Sequence, residues 1–187
     1  MNSIETTNEQ EFVLASLGKR FLAHIVDFLI LSPFIGIHLF LIFKSMQIGL
    51  IYYFIATIVY SIIFISYRIF LTFKLGGTFG KLAVKIKVVN SELGTLSLKE
   101  AFLREVPHIL IYLFFIINVY FMVIFFNQNS EKLSNLIFSE YYKEINNQEK
   151  VPNLSLYYYL ISILFILFNK MKKTPHDFLA NSIVISK

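Results

Sequence analysis

Apolar residues in this chain run together in long blocks, at about 21–43, 48–73, 104–126 and 153–169, with polar stretches between them. At ~1.5 Å per helical residue the first block, Phe21 to Phe43, is roughly 35 Å long, enough to cross a ~30 Å hydrocarbon core with some tilt. It exceeds the ~7–15 residue apolar region of a secretory signal, and no small-x-small cleavage pattern follows it, so a retained helix is expected. Only a short turn, Lys44 to Gly49, separates it from the second block, which predicts an antiparallel helical hairpin. The last block is the shortest: Leu154 to Phe168 spans only with help from Val151-Pro152-Asn153 and from the interfacial ring trio Tyr157, Tyr158 and Tyr159.

The polar stretches differ in kind. The loop at 74–100 opens on a glycine-rich turn, Leu75 to Lys81, and then alternates Lys85 and Lys87 with Val84, Ile86 and Val88, the period of a short strand. Ser91-Glu92-Leu93-Gly94 reads as a hairpin turn. Ser97-Leu98-Lys99-Glu100 has the S-x-x-E pattern of a capping box and predicts a helix start. Arg104, Glu105 and His108 then place that helix's first turns at the interface, and Pro107 should weaken its entry into lipid. In the loop at 127–152, Leu133, Leu136, Ile137 and Tyr141 share one helical face, as in a helix lying on the membrane surface. Past the lysines at 170, 172 and 173, the tail reads as a short helix from Pro175 to Asn181 and a strand at Ile183-Val184-Ile185, which is expected to pair with Lys85 to Val89 and bring Ile86 close to Ile185.

Composition sharpens this picture. Hydrophobic residues make up 56% of the chain and charged residues 16%, against roughly 45–50% and about 25% in soluble domains. The expected fold is therefore an all-α membrane protein: one domain over 1–187, a bundle of about four transmembrane helices with a small hairpin-like β element in the 74–100 loop. Cysteine is absent, which excludes disulfides, Cys-ligated zinc and thiol nucleophiles. Positive charge gathers at Lys19 and Arg20, in the 74–100 loop and in the tail. By contrast, acids outnumber the lysines at 132, 143 and 150. The positive-inside rule then puts both termini in the cytoplasm and the 127–152 loop outside. The basic residues flank apolar spans instead of forming one stripe, so nucleic acid is not an expected partner.

Candidate chemistry is sparse. Arg20, His24 and Asp27 follow one another at spacings of four and three, on one helical face. A carboxylate inside a span costs a few kcal/mol unless paired, protonated or wetted, which makes Asp27 a candidate for ion or proton handling and equally for pinning helix packing. Asp177 lies in Thr174-Pro175-His176-Asp177, where threonine as cap, proline at the first helical position and an acid at the third make a helix start with no further function. Arg20 is expected to reach Asp27, with Asp177 closing the arrangement and His24 and Arg104 supporting it. No histidine pairing suggests a metal site, the Gly76–Lys81 run falls short of a nucleotide-binding loop, and no hydrolytic constellation is evident. Neither a cofactor nor an enzymatic activity is expected.

Several of these residues carry a resemblance. Gly18-Lys19-Arg20-Phe21-Leu22-Ala23 followed by Asp27, then Gly76-Gly77-Thr78-Phe79-Gly80-Lys81 with Lys85 to Val89, then His176-Asp177-Phe178-Leu179-Ala180, resembles the RDD family of bacterial membrane proteins. The arginine and two aspartates of the family's name match Arg20, Asp27 and Asp177. The chain departs from the family pattern at Asn181-Ser182, where many members have Gly-Thr, and in its long loop between the last two spans. The resemblance implies a multi-pass protein of a bacterial cytoplasmic (inner) membrane, with the lipid bilayer as its surroundings. Some members are implicated in sodium–proton antiport. Two functions are carried forward: transport of a monovalent cation against a proton through Asp27, requiring a homo-oligomer in so small a chain, and a non-transporting scaffold or assembly partner whose Arg/Asp triad is structural.

Overall fold

The computed structural model describes residues 12–128 and 154–186. In chain order the elements are β1 (Val13–Leu14), α1 (Leu17–Ile48), α2 (Leu50–Leu75), α3 (Phe79–Ala83), β2 (Ile86–Asn90), α4 (Leu98–Gln128), α5 (Leu154–Phe168), α6 (Pro175–Leu179) and β3 (Ser182–Ser186). Three segments, Leu17–Leu41, Ile51–Ala83 and Leu98–Phe125, are long and apolar enough to cross a membrane, and the 15-residue α5 is a shorter apolar helix. Their outward faces are bare hydrocarbon: Phe21 is 66% exposed, Leu29 62% and Phe168 85%. In water such surface would be untenable, so lipid covers it. The chain is a helical membrane protein with a small sheet at one end. The surface helix expected around Leu133 to Tyr141 lies outside the described residues.

Local chemistry accounts for the element ends. A single residue, Gly49, separates α1 from α2, a tighter turn than the apolar pattern suggested. Gly76 ends α2 in the left-handed conformation at φ 78°; its N–H donates to the Thr72 carbonyl and that of Gly77 to the Leu71 carbonyl. The capping box before α4 forms as its spacing predicts: Ser97 N–H donates to Glu100 at 2.7 Å, and Glu100 N–H donates to the Ser97 hydroxyl at 3.3 Å. The helix α4 runs through Pro107 without a break, because α2 packs along it.

The glycine-rich loop holds a helix that the sequence reading missed. Thr78 is extended, as a cap residue should be, and one turn of helix, α3, follows where only a turn was expected. It packs flat on α1. A Cβ on Gly80 would sit 2.1 Å from the Ala23 carbonyl oxygen, so only glycine permits this approach.

The sheet runs in the order β1-β3-β2, antiparallel throughout. The 74–100 strand therefore pairs with the chain's last strand and not within its own loop. Pairing of Ile86 with Ser186 and of Lys87 with Ile185 fixes the register. Ala15, Ala23, Ile86, Val88, Leu96 and Val184 form the small core that joins sheet to helices. Because β1 and β3 are neighbours, the two ends of the described chain meet at one end of the bundle. The register is open to test, because the chain lacks cysteine. Oxidation of Lys87→Cys with Ile185→Cys should cross-link the strands. Lys87→Cys with Val184→Cys should not, since those side chains leave opposite faces of the sheet. The reverse pattern on a gel would mean a one-residue slip.

Candidate functional site

Every arginine and aspartate of the chain lies at the sheet end of the bundle. Asp177, the third residue of α6, is fully buried. It accepts the N–H of Thr174 at 2.9 Å and the Thr174 hydroxyl at 2.7 Å, so the capping arrangement expected from Thr174-Pro175-His176-Asp177 is present. The same carboxylate is paired with Arg20 of α1 at 3.3 Å and with Arg104 of α4. Ser182, at the start of β3, donates to it at 3.3 Å and accepts from Arg104. Burial alone would raise the Asp177 carboxyl, but Arg104 and Arg20 outweigh burial and hold it well below the usual carboxylate range.

Asp27 is engaged elsewhere. Its two oxygens accept the Thr78 hydroxyl at 2.6 Å and the Gly80 N–H at 2.7 Å, which fastens α3 to the sheet-proximal part of α1. The expected Arg20–Asp27 contact is not made among the described residues. Arg20 instead turns toward the sheet, where its Nε donates to the Ala15 carbonyl at 3.4 Å and its Nη1 meets Asp177. Two fixed donors already serve Asp27, and the fully buried carboxylate at 177 draws Arg20 to itself beside Arg104. His24 also stays clear of Asp27 and lies edge-on to Tyr159, with ring centroids 6.4 Å apart. Arg104 does support the cluster, through Asp177.

A second ion pair was not assembled by sequence reasoning. Arg68 of α2 grips Glu105 of α4 in a fork, Nε to Oε2 at 2.6 Å and Nη2 to Oε1 at 3.1 Å. The His108 Nδ1 stands 3.3 Å from Glu105 Oε2 but is not aligned for a hydrogen bond, so proximity is all that this contact supplies. The legible sign was an arginine at 68 in one apolar block and a glutamate at 105 in the next, charges that lipid would penalise unless they met. From His108 a line of rings continues to His176, 5.7 Å between centroids, and the Tyr158 hydroxyl lies 2.5 Å from His176 Nδ1. Burial, reinforced by Arg104, pushes His176 well below its ordinary value of 6.5 and keeps it neutral. Among the described residues no group of His, Asp and Glu could hold a metal ion.

These two titrating groups set a pH dependence. Folded His176 and Asp177 both bind protons more weakly than their unfolded forms, so each contributes stability above its unfolded pKa and loses it as pH falls. Between pH 6.5 and 5, His176 should contribute a loss of about 1.4 kcal/mol per pH unit. Asp177 should add its own loss only below about pH 4. Thermal unfolding of the detergent-solubilised protein across this range should show a downward slope that His176→Gln makes shallower above pH 5. An unchanged slope in the variant would mean that His176 is charged in the folded state.

Comparison with curated proteins returns no match, and neither does comparison with solved structures. The model of the RDD family matches residues 14–181, which takes in β2, every helix from α1 to α6, and the arginines and acids of both clusters. The chain belongs to the RDD family.

Proposed function

We propose that the protein is a non-enzymatic, non-transporting membrane scaffold, in which Arg20, Asp27 and Asp177 are structural fasteners that hold a small sheet against the end of a four-span bundle. The observation that carries this reading is the use of Asp27. Both of its oxygens accept bonds, from the Thr78 hydroxyl and the Gly80 backbone at 2.6 and 2.7 Å, so the carboxylate is built into the docking of the loop after α2. Asp177 is consumed in the same way by Arg20, Arg104 and Thr174. Positive residues around the sheet, among them Lys19, Lys85 and Lys87, favour a cytoplasmic position for it, with the sheet as the surface offered to an assembly partner.

Proton-coupled cation transport is the second reading, favoured by the position of Asp27 within an apolar span, only half-buried by protein. One variant separates the two. An asparagine at 27 sets an amide donor against one of two fixed donors, so Asp27→Asn should lose about 1–3 kcal/mol of stability. In proteoliposomes with an imposed pH gradient, neither it nor the parent should move sodium or potassium. A parent that does move cations, with a fully stable Asp27→Asn protein that has lost the flux, would replace scaffold by transporter.

Orientation is tested separately. Ser91 and Asn127 are exposed and flank opposite ends of α4. In intact cells an impermeant maleimide should label Asn127→Cys and spare Ser91→Cys; the opposite result inverts the topology.

A further inference from the structure

The last apolar helix passes into the tail without leaving the lipid-facing surface. After Phe168, its bare final residue, the chain folds through a tight turn into α6. Asn169 builds that turn. Its side-chain oxygen accepts the Met171 N–H at 2.7 Å and its backbone carbonyl accepts the Lys172 N–H at 2.9 Å, with Lys172 left-handed at φ 50°. The cap between Thr174 and Asp177 then fixes how α6 is rolled. Asp177 and Ala180 face the protein and are buried, whereas Phe178 and Leu179 are about half exposed.

These apolar side chains extend a surface that lipid covers. The Phe178 ring meets Phe165 of α5 edge to face, 6.1 Å between centroids, and Leu164, Phe165 and Leu167 are themselves exposed. A cytoplasmic α6 would leave Phe178 and Leu179 in water for no gain. Charge runs along the same strip. Lys170, Lys172 and Lys173 lie in the turn, and the one acid among residues 169–179 is Asp177, buried and already paired. Among the described residues none of the three ammonium groups meets an acid. The Lys173 Nζ stands 5.8 Å from the Phe178 centroid, and at the end of α2 the Lys74 Nζ stands 4.9 Å from that of Phe73. An ammonium carried past an aromatic ring at the end of a span is a side chain reaching from hydrocarbon to the headgroups. Three such charges with no exposed acid between them fit an anionic surface better than a neutral one.

We propose that the end of α5, the turn at 169–174 and α6 form a membrane-surface anchor selective for anionic phospholipid, with Phe178 and Leu179 among the uppermost acyl carbons and Lys170, Lys172 and Lys173 on the headgroup phosphates. The anchor holds α6 in the headgroup layer and not in the cytoplasm beyond it. Asp177 belongs to the same helical turn, so lipid contact and the buried ion cluster are joined through α6. Neither functional reading draws on these three lysines, and the anchor stands with either.

The chain has no tryptophan, so Phe178→Trp in the full protein is a single fluorescent reporter on the strip. Phe121→Trp, at an exposed position toward the other end of α4, is the control. Each is placed in nanodiscs of equal parts phosphatidylcholine and phosphatidylglycerol, in which one lipid or the other carries bromine close to its ester. Bromine quenches the indole only at short range. Quenching of the Phe178→Trp protein should be deeper with brominated phosphatidylglycerol, by an amount that corresponds to a preference of about fivefold or more, the factor for one lysine at an anionic surface. Added sodium chloride should shrink that preference by screening. The control should show none. Lys170→Gln, Lys172→Gln and Lys173→Gln together should make the two lipids equal while quenching by phosphatidylcholine persists. If Phe178→Trp does not fold, Leu179→Trp reads the same strip. Equal quenching by the two lipids with the lysines intact, an equal preference at the control, or a preference that survives the triple substitution overturns the selectivity. No quenching by either lipid overturns the anchor and leaves the strip as a face for a protein partner.

Discussion

The carboxylate of Asp177 is the constraint on which the rest of this end depends. Fully buried, it binds the start of its own helix through Thr174, α1 through Arg20 and α4 through Arg104. Ser182, which also bonds it, begins the strand at the centre of the sheet. One oxygen pair thus ties two long helices, a short helix and the sheet to a common point. Removing a single partner of such a group strands charge in a dry interior and costs about 3–5 kcal/mol, far more than any exposed ion pair of the same length. That asymmetry explains how so small a sheet, with a core of a few aliphatic side chains, can be held firmly against a bundle.

Asp27 works by another chemistry. It has no cation partner; a hydroxyl and a backbone N–H do the holding, and both belong to the short stretch that closes onto α1. The approach is possible because Gly80 has no side chain, and its Cβ would collide with both Ala23 and Asp27. The two aspartates therefore divide the labour. One fastens the tail through charge, and the other fastens the loop after α2 through hydrogen bonds. The Arg68–Glu105 fork joins α2 to α4 a little deeper, so that each long described span is fastened at this end by at least one buried polar contact. Along the rest of their length the helices meet through apolar contacts such as Val119 and Val123 against Tyr53 and Phe54. Lipid offers little hydrophobic incentive for apolar helices to associate, so these polar contacts specify which helices meet and in what register.

What could be read from residues alone followed a physical rule: local periodicity was legible, partner choice only in part. The long apolar blocks, the Ser97–Glu100 cap and the Thr174–Asp177 cap are each set by neighbours within a few positions, and each is present in the structure. The partners of Arg20 depend on groups far away in sequence. Shared helical face suggested Asp27, four and three residues on by way of His24, yet the guanidinium bonds a carboxylate in the tail. The β element is an exception. Lys85 to Val89 and Ile183 to Ile185 are both short and β-branched, and an unpaired edge is disfavoured, so their pairing was legible and is present in the structure. The helix α3 was hidden because it is one turn long and sits between glycines, where composition argues for a turn. Its cause is tertiary, the docking of Thr78 and Gly80 onto Asp27.

The placement of charge carries one further consequence. A membrane protein that needed its polar groups only for solubility would leave them on exposed loops, where water satisfies them. Here all three arginines and both aspartates of the chain are drawn inward to one end, and among the described lysines Lys81 alone is buried. Arginine suits that division, since its fork can satisfy a carboxylate and still reach a carbonyl, as Arg20 does at Ala15. Lysine is a compact charge with three donors and no fork, better hydrated and harder to bury. A lysine kept inside, beside arginines whose acids are already spoken for, is therefore the residue whose burial this protein's own contacts do not explain.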